Sequence, residues 1–308
     1  MSIYRIAHFY FIFTLLAILS PPTSAAVAMI YQPHLSHMSM DNELWPILFK
    51  NLRDSHIDTL VVQWTRYDDY FIEGEQASWL EARVIDAANA GLKIVVGLSS
   101  ASDIFKRLEQ PASILPAYFR KLREKDRAQI SRWEALIPSD QLQGWYLPIE
   151  IDDKRWRLST DREVLIDYLQ HAISDIRSLE KNKRSVYLSS FFTGQMSPQR
   201  YSDMIHEIHL QTKIQIWIQD GSGIASLSHG ERGFFLNELT RCQSPTAQGI
   251  IYELFREIKE ERQDKSFKAV PTSARAQTKT IKNRAPCHLD TVYFGLNYWS
   301  PFFNKTAH

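Results

Sequence analysis

Three carboxylic acids stand close together at the end of an apolar, aromatic run of the sequence. The run is Gln143-Gly144-Trp145-Tyr146-Leu147-Pro148-Ile149-Glu150, and Asp152 and Asp153 follow it almost at once. Its composition predicts a buried β-strand with Glu150 at its carboxyl end. Because the carboxyl ends of strands carry the reacting groups in parallel barrels, this segment indicates chemistry performed by carboxylates, such as cleavage of a glycosidic bond.

The elements that must position these acids alternate along the chain. Eight strand-like runs, mostly of four to six apolar residues, are separated in most gaps by segments with helical spacing, which is typical of strands buried on both faces. This repeat predicts an α/β fold, a single-domain (β/α)8 TIM barrel over residues 27–308. An open doubly wound sheet is the alternative, although no glycine-rich phosphate loop follows the first strand. The strands are predicted over Ala28–Pro33, Thr59–Trp64, Lys93–Leu98, Gly144–Ile149, Ser185–Ser190, Lys213–Ile218, Gln248–Leu254 and Thr291–Leu296.

Two terminal features bear on where the protein works. Residues 1–26 read as a cleaved export signal, with Arg5 before the apolar stretch Phe9–Leu19 and small residues beyond Pro21-Pro22. An uncleaved anchor is the alternative, but the apolar stretch is short for a bilayer. We therefore expect a periplasmic or secreted protein with no membrane association beyond this segment. Near the other end, the charge-rich stretch at about residues 262–288 predicts a mobile loop in the last crossover.

The chain contains two cysteines, Cys242 and Cys287. An even number in an exported protein favours a disulfide, although two unrelated thiols are the alternative. Cys242 is expected at the end of a helix predicted over Glu231–Cys242, and Cys287 just before the last strand. Both positions would lie at the bottom of the barrel, where a bond would fasten the last crossover.

Composition excludes some classes of partner. The net charge of +1 gives no electrostatic case for nucleic acid. No cysteine has the spacing of a zinc site, and the acids lack the spacing of a calcium loop, so no metal or cofactor is expected. The eight tryptophans and 12% aromatic residues suit sugar binding as well as an ordinary core. We expect a monomer.

The carboxyl ends of the predicted strands form a polar, acidic and aromatic ring. Glu150 and Glu253 end the fourth and seventh strands, on facing walls, and Asp220 after the sixth strand is another candidate partner for Glu150. Each has a structural alternative. Glu150 could be a structural acid that binds a backbone N–H or an arginine, Glu253 could begin a helix, and Asp220 could form a turn before Gly221. The predicted substrate-binding residues are Tyr31, Gln32, Gln63, Trp64, Asp152, Gln219, Asn297, Tyr298 and Trp299.

Three segments carry a resemblance to a known family. Gly144–Asp153, Tyr187–Phe192 and Trp217–Gly223 resemble an exported bacterial domain family of unknown function that is grouped with the glycoside-hydrolase barrels. More broadly, the chain is similar to retaining glycosidase barrels, whose acid/base ends the fourth strand and whose nucleophile ends the seventh. Glu150 and Glu253 match those positions. The Asn-Glu pair common in those enzymes is Ile149-Glu150 here, which leaves Asp220 open as the second carboxylate.

The sequence therefore predicts a glycoside hydrolase that acts on an oligo- or polysaccharide with two carboxylates. Glu150 would be the general acid/base, with its pKa raised by Trp145 and Tyr146. A non-catalytic barrel that binds glycans in an exopolysaccharide or envelope system is the alternative. An esterase is a weaker option, since no Gly-x-Ser-x-Gly motif is present.

Overall fold

Eight parallel strands close into a barrel in the computed structural model, which describes residues 25–258 and 268–302. Each strand pairs with the next along the chain, and the eighth pairs with the first. The predicted (β/α)8 barrel is confirmed. Its strands are β1 (Val27–Tyr31), β2 (Thr59–Val62), β3 (Lys93–Gly97), β4 (Leu142–Asp152), β5 (Ser185–Phe191), β6 (Gln215–Gln219), β7 (Gly249–Glu253) and β8 (Asp290–Phe294).

Helices follow the strands and cover the outside of the barrel. In the first helix, Trp45, Leu48, Phe49 and Leu52 are buried at helical spacing, so one apolar stripe packs on the sheet. The predicted helices are present, with two additional ones, the short α3 before the longest helix and α8 in the last crossover. They are α1 (Leu44–Asp54), α2 (Gly74–Asn89), α3 (Ile104–Leu108), α4 (Leu115–Leu136), α5 (Ser159–Leu179), α6 (Pro198–Thr212), α7 (His229–Leu239) and α8 (Ala274–Lys282).

The barrel interior is filled by side chains from alternate positions of the strands. Three aromatic rings occupy its centre, where Trp217 stacks on Tyr187 with ring centroids 4.3 Å apart and on Tyr146 at 6.1 Å. Aliphatic residues such as Ile30 and Val95 complete this interior cluster. The barrel is thus a packed core whose polar space lies above the rings.

The last crossover differs from the prediction of a mobile loop at about residues 262–288. Strand Phe255–Glu257 forms a hairpin with Ala269–Pro271, and α8 follows, while residues 259–267 lie outside the described part of the chain. Gln277, the buried residue of α8, bonds the carbonyl oxygens of Thr272 and Tyr298 through its side-chain amide. The sequence of α8 is rich in charged and polar residues, which is why this stretch resembles a loop in the sequence.

The predicted disulfide between Cys242 and Cys287 is confirmed, with Cα atoms 5.0 Å apart. Cys242 lies three residues beyond the end of α7 at Leu239, so the prediction that this helix extends to Cys242 is wrong. The two cysteines precede β7 and β8 respectively. The bond therefore joins chain segments at the amino ends of neighbouring strands, opposite the end where Glu150 lies.

The predicted export signal falls almost wholly outside the described residues, which begin at Ala25. Across residues 25–258 and 268–302, none of the helices combines the length and the apolar character that a bilayer crossing requires.

Candidate active site

The alternation of β4 points Glu150 into the barrel mouth. Tyr146 lies in the interior cluster, and Glu150, four residues further along the same face, lines a cavity above it. The pairing with β5 shifts by two residues between these positions. Tyr146 lies opposite Tyr187, whereas Glu150 lies opposite Ser189. The carboxylate thus stands at the carboxyl end of the strand, as the sequence predicts.

Trp145 does not contribute to this setting. It packs in the outer core and donates a hydrogen bond from Nε1 to Glu180 at 3.1 Å. The expectation that Trp145 surrounds Glu150 is therefore wrong, because neighbouring residues of a strand point to opposite faces. Tyr146, on the same face as Glu150, is the aromatic residue beneath it.

A cavity of about 420 Å³ opens at the carboxyl ends of the strands. Its volume falls in the range of small-molecule binding sites. Among the described residues that line it, Glu150 is the one carboxylate. The lining combines amides, hydroxyls and apolar or aromatic side chains, contributed by Gln32, Gln63, Trp64, Tyr67, Ser100, Ala101, Ser102, Ile104, Phe105, Pro148, Glu150, Phe191, Gln219, Ile224, Phe255 and Phe294.

Glu150 holds its proton more tightly than an ordinary glutamic acid. Burial raises its pKa, and the nearby charge of Asp152 adds to the effect. Gln219 opposes it by donating a hydrogen bond from Nε2 to Glu150 Oε1 at 2.9 Å. This bond also fixes the orientation of the carboxyl group. A carboxylic acid with a raised pKa on a cavity wall is suited to donate a proton.

Glu253 lies beside the cavity, at the end of β7, with only 5% of its surface exposed. Its Oε2 accepts a hydrogen bond from the backbone N–H of Gly223 at 2.5 Å. A Cβ atom at Gly223 would lie 2.9 Å from this oxygen and 2.6 Å from the ring of Phe255, so the loop after β6 covers Glu253 closely because residue 223 is glycine. Burial above all, followed by the charge of Asp220, raises the pKa of Glu253 to about 8.

Asp220 organises the same loop. Its Oδ1 accepts hydrogen bonds from the backbone N–H and the hydroxyl of Ser222 at 3.1 and 2.8 Å, and from the N–H of Glu253 at 3.4 Å. Burial raises its pKa. The contacts of Asp220 therefore agree with the alternative in which it forms a turn.

Glu150 and Glu253 interact electrostatically, since the charge of Glu150 contributes to the raised pKa of Glu253.

The structure brings together only part of the predicted substrate-binding set. Gln32, Gln63, Trp64 and Gln219 line the cavity with Glu150. Asn297 supports the wall from behind by donating a hydrogen bond from its side-chain amide to the carbonyl oxygen of Gln32 at 3.0 Å.

The remaining predicted residues at the first and last strands lie away from the cavity wall. Tyr31 is buried in the outer core, where its hydroxyl bonds Nδ1 of His37 at 3.0 Å. Trp299 is also buried in that core, and Tyr298 packs on Phe255 with ring centroids 5.1 Å apart. Some side chains at the strand ends therefore point into the mouth and others into the layer between strands and helices. The position of a residue at a strand end does not by itself predict which of the two it joins.

A smaller cavity of about 200 Å³ adjoins the first on the side of β4 and β5. The two cavities share Phe105, Glu150 and Phe191. The predicted residue Asp152 lines the smaller one, and its Oδ1 accepts hydrogen bonds from the N–H groups of Lys154 and Arg155. The other lining residues are Leu108, Glu109, Lys154, Arg155 and Thr193.

Sequence reasoning missed the contribution of Phe105 and Ile224. Both are large apolar residues outside the strands, and 56% of Phe105 is exposed. A phenylalanine in the connection just after a predicted barrel strand is the sequence signal that could have found Phe105, because these connections form the mouth of such barrels.

Fold and site together define a (β/α)8 barrel with a carboxyl group on the wall of a cavity at the carboxyl ends of its strands. A solved structure from Bacteroides thetaiotaomicron, provisionally assigned as an α-L-fucosidase, matches with a TM-score of 0.64 at 14% identity, over 97% of this chain and 95% of that one. Xylanase B from Clostridium stercorarium matches with a TM-score of 0.52 at 14% identity, over 88% and 86% of the two chains. At these identities the likeness concerns the fold.

The chain belongs to the family described as a domain of unknown function, DUF4434, whose model matches residues 29–304. An uncharacterised protein of Escherichia coli K12, YbcH, is 37% identical to it over 294 residues, which cover 94% of this chain and 96% of the relative.

Proposed function

We propose that this protein binds an oligo- or polysaccharide in the barrel mouth and hydrolyses a glycosidic bond, with Glu150 as general acid. The observation that carries the proposal is a partly buried carboxyl group with a raised pKa on the wall of a cavity lined by amides, hydroxyls and aromatic rings. Aromatic faces and hydrogen-bonding side chains are the groups that recognise sugars. The glycoside hydrolases among the structural relatives support the same class of reaction.

In this mechanism Glu150 protonates the oxygen of the leaving sugar, and Gln219 holds the carboxyl group in place. Glu253 or Asp220 would serve as the second carboxylate. Glu253 faces the interior at the end of β7 and interacts electrostatically with Glu150, which favours it over Asp220. Two features support action in the periplasm or outside the cell. They are the apolar stretch of the predicted export signal and the disulfide.

One observation favours the second candidate function, glycan binding without cleavage. Both Glu253 and Asp220 are engaged by backbone groups of the β6 and β7 ends, and Glu253 lies under Gly223 rather than on the cavity wall. A barrel of this kind would keep the sugar-binding wall and lack the paired acids that hydrolysis needs.

The test is a panel of soluble polysaccharides incubated with the wild-type protein, Glu150→Gln and Glu124→Gln. The glutamine at 150 still accepts the bond from Gln219 but cannot donate an acid proton, so hydrolysis should fall by at least about 100-fold. Glu124 is an exposed glutamate on α4, so its variant should retain full activity. Full activity in Glu150→Gln would refute the assignment of Glu150. Glycan binding without hydrolysis by the wild type would establish the second candidate.

A further inference from the structure

The boundary between the two cavities is the feature that extends the proposed function. Glu150 lies on the wall of both, so the two spaces adjoin at its carboxyl group. A ligand held only in the larger cavity would leave the second space unused. A chain of sugars that crosses Glu150 would place one unit on each side of the group that protonates the bond between them.

Phe105 occupies this boundary. Ile104 and Leu108 of α3 are buried in the outer core, and Phe105 between them projects outward, because it lies on another face of the short helix. It lines both cavities, together with Phe191 at the end of β5. An exposed aromatic ring on the wall of a groove offers a flat apolar surface to the carbon-bound hydrogens of a sugar ring.

Arg155 holds this part of the mouth in place. Its Nε donates to the carbonyl oxygen of Leu108 at 2.5 Å, and its NH2 group donates to that of Gln110 at 3.2 Å. The guanidinium also forms an ion pair with Asp161 and lies 4.8 Å from the ring centroid of Trp156. The end of α3 is thus tied to the segment after β4, which fixes the backbone of the helix that carries Phe105 and lowers the entropic cost of binding.

We propose that the ligand is a glycan chain of at least two sugar units that crosses Glu150 and occupies both cavities, with Phe105 as the stacking surface at the crossing. The smaller cavity receives the unit on the far side of the bond, beside Asp152 and Lys154. This inference rests on the proposed sugar-binding function and adds to it the second cavity as the place of the far unit and Phe105 as the surface on which the chain stacks.

The experiment measures binding without turnover, in the Glu150→Gln background. A glycan array first identifies the best ligand, and its mono-, di- and tetrasaccharides are then titrated by calorimetry into Glu150→Gln, Glu150→Gln/Phe105→Ala and Glu150→Gln/Phe234→Ala. Phe234 is the matched control, an outward phenylalanine of α7 that is 69% exposed. Denaturation midpoints that agree among the three variants show that they are equally folded.

We expect the tetrasaccharide to bind Glu150→Gln at least about tenfold more tightly than the monosaccharide. Loss of a stacking ring should weaken tetrasaccharide binding by about tenfold. The Phe234 variant should stay within about twofold of its parent, since exposed side chains away from a site contribute little. Equal affinities for the mono- and tetrasaccharide, or equal effects of the two phenylalanine changes, would overturn the inference while leaving sugar binding intact. Failure of the wild type and of every variant to bind any arrayed glycan would overturn the proposed function itself.

Discussion

Glu150 and Glu253 are the same residue type in two different surroundings. Glu150 faces a cavity and accepts one hydrogen bond from a side-chain amide, whereas Glu253 is covered by Gly223 and accepts a bond from its backbone. Burial raises the pKa of both, and that of Glu253 reaches about 8. At neutral pH Glu253 is therefore mainly protonated, and it would have to lose its proton before acting as a nucleophile or base.

The titration of Glu253 predicts how stability depends on pH. The pKa is about 8 in the folded protein against an ordinary value of 4.5, so the folded state binds more protons between these values. Its contribution to the free energy of unfolding is complete below pH 4.5 and is lost as pH rises through 8, by at most about 1.4 kcal/mol per pH unit.

In Glu253→Gln the amide oxygen keeps the bond from Gly223 and no ionisation occurs. The variant should thus gain stability relative to the wild type by on the order of 2–4 kcal/mol between pH 5 and pH 8. Urea denaturation at each pH measures this, and Glu124→Gln should follow the wild type throughout. A difference between Glu253→Gln and wild type that does not change with pH would contradict the assigned pKa.

At the scale of elements, the segments after β4 and β5 are joined by one buried acid. Asp153 accepts four hydrogen bonds, from the backbone N–H groups of Thr193, Gln195 and Met196 and from the hydroxyl of Thr193, at 2.7 to 3.1 Å. The three acids at the end of this strand thus have different roles, some on the cavity walls and one in holding the fold together. Glu150 and Asp152 line cavities, and Asp153 holds the loop beneath them.

Removal of this acid should loosen the mouth. Asp153→Ala leaves several N–H groups without an acceptor, at about 1–3 kcal/mol for each buried group, so the free energy of unfolding should fall by about 3–5 kcal/mol. The matched control is Asp69→Ala, since the side chain of Asp69 is 90% exposed and forms a surface ion pair with Arg66. That change should cost about 0–1 kcal/mol. Urea denaturation that finds equal losses would show that Asp153 is not a structural acid.

Patterns within short segments of the sequence predict the barrel better than they predict the contacts at its mouth. Continuous apolar runs located all eight strands, because burial on both faces leaves a signal within each strand. The position of Glu150 at the carboxyl end of the fourth predicted strand likewise placed it at the barrel mouth. The cover over Glu253 could not be foreseen, because it depends on contacts between Gly223 and Phe255, which are far apart in sequence. Helix α8 escaped detection because its sequence is rich in charged and polar residues and the residue that it buries is Gln277.

For the whole molecule, closure of the barrel and the disulfide act together. β8 is the strand that closes the ring against β1, and Cys287 lies just before it. The bond to Cys242 encloses a separation of 45 residues. By chain-entropy reasoning, a closed loop of this length stabilises the folded state by about 4 kcal/mol.

The double variant Cys242→Ser/Cys287→Ser should therefore unfold at a lower urea concentration, with a loss of about 4 kcal/mol. Dithiothreitol should lower the midpoint of the wild type towards that of the variant, and it should leave the variant unchanged. Thiol labelling of unreduced, denatured wild type should detect no free cysteine. Two labelled thiols, or equal midpoints for the two proteins, would contradict a stabilising bond.

The same bond makes one section of the polypeptide a closed covalent ring that contains β7, and with it Glu253. A protease that hydrolyses one peptide bond anywhere between Cys242 and Cys287 leaves the two fragments attached to each other. Such nicked material migrates as one species in non-reducing electrophoresis and separates into two when a thiol is added. The strand that carries the buried acid thus stays tethered to the barrel after a single cut.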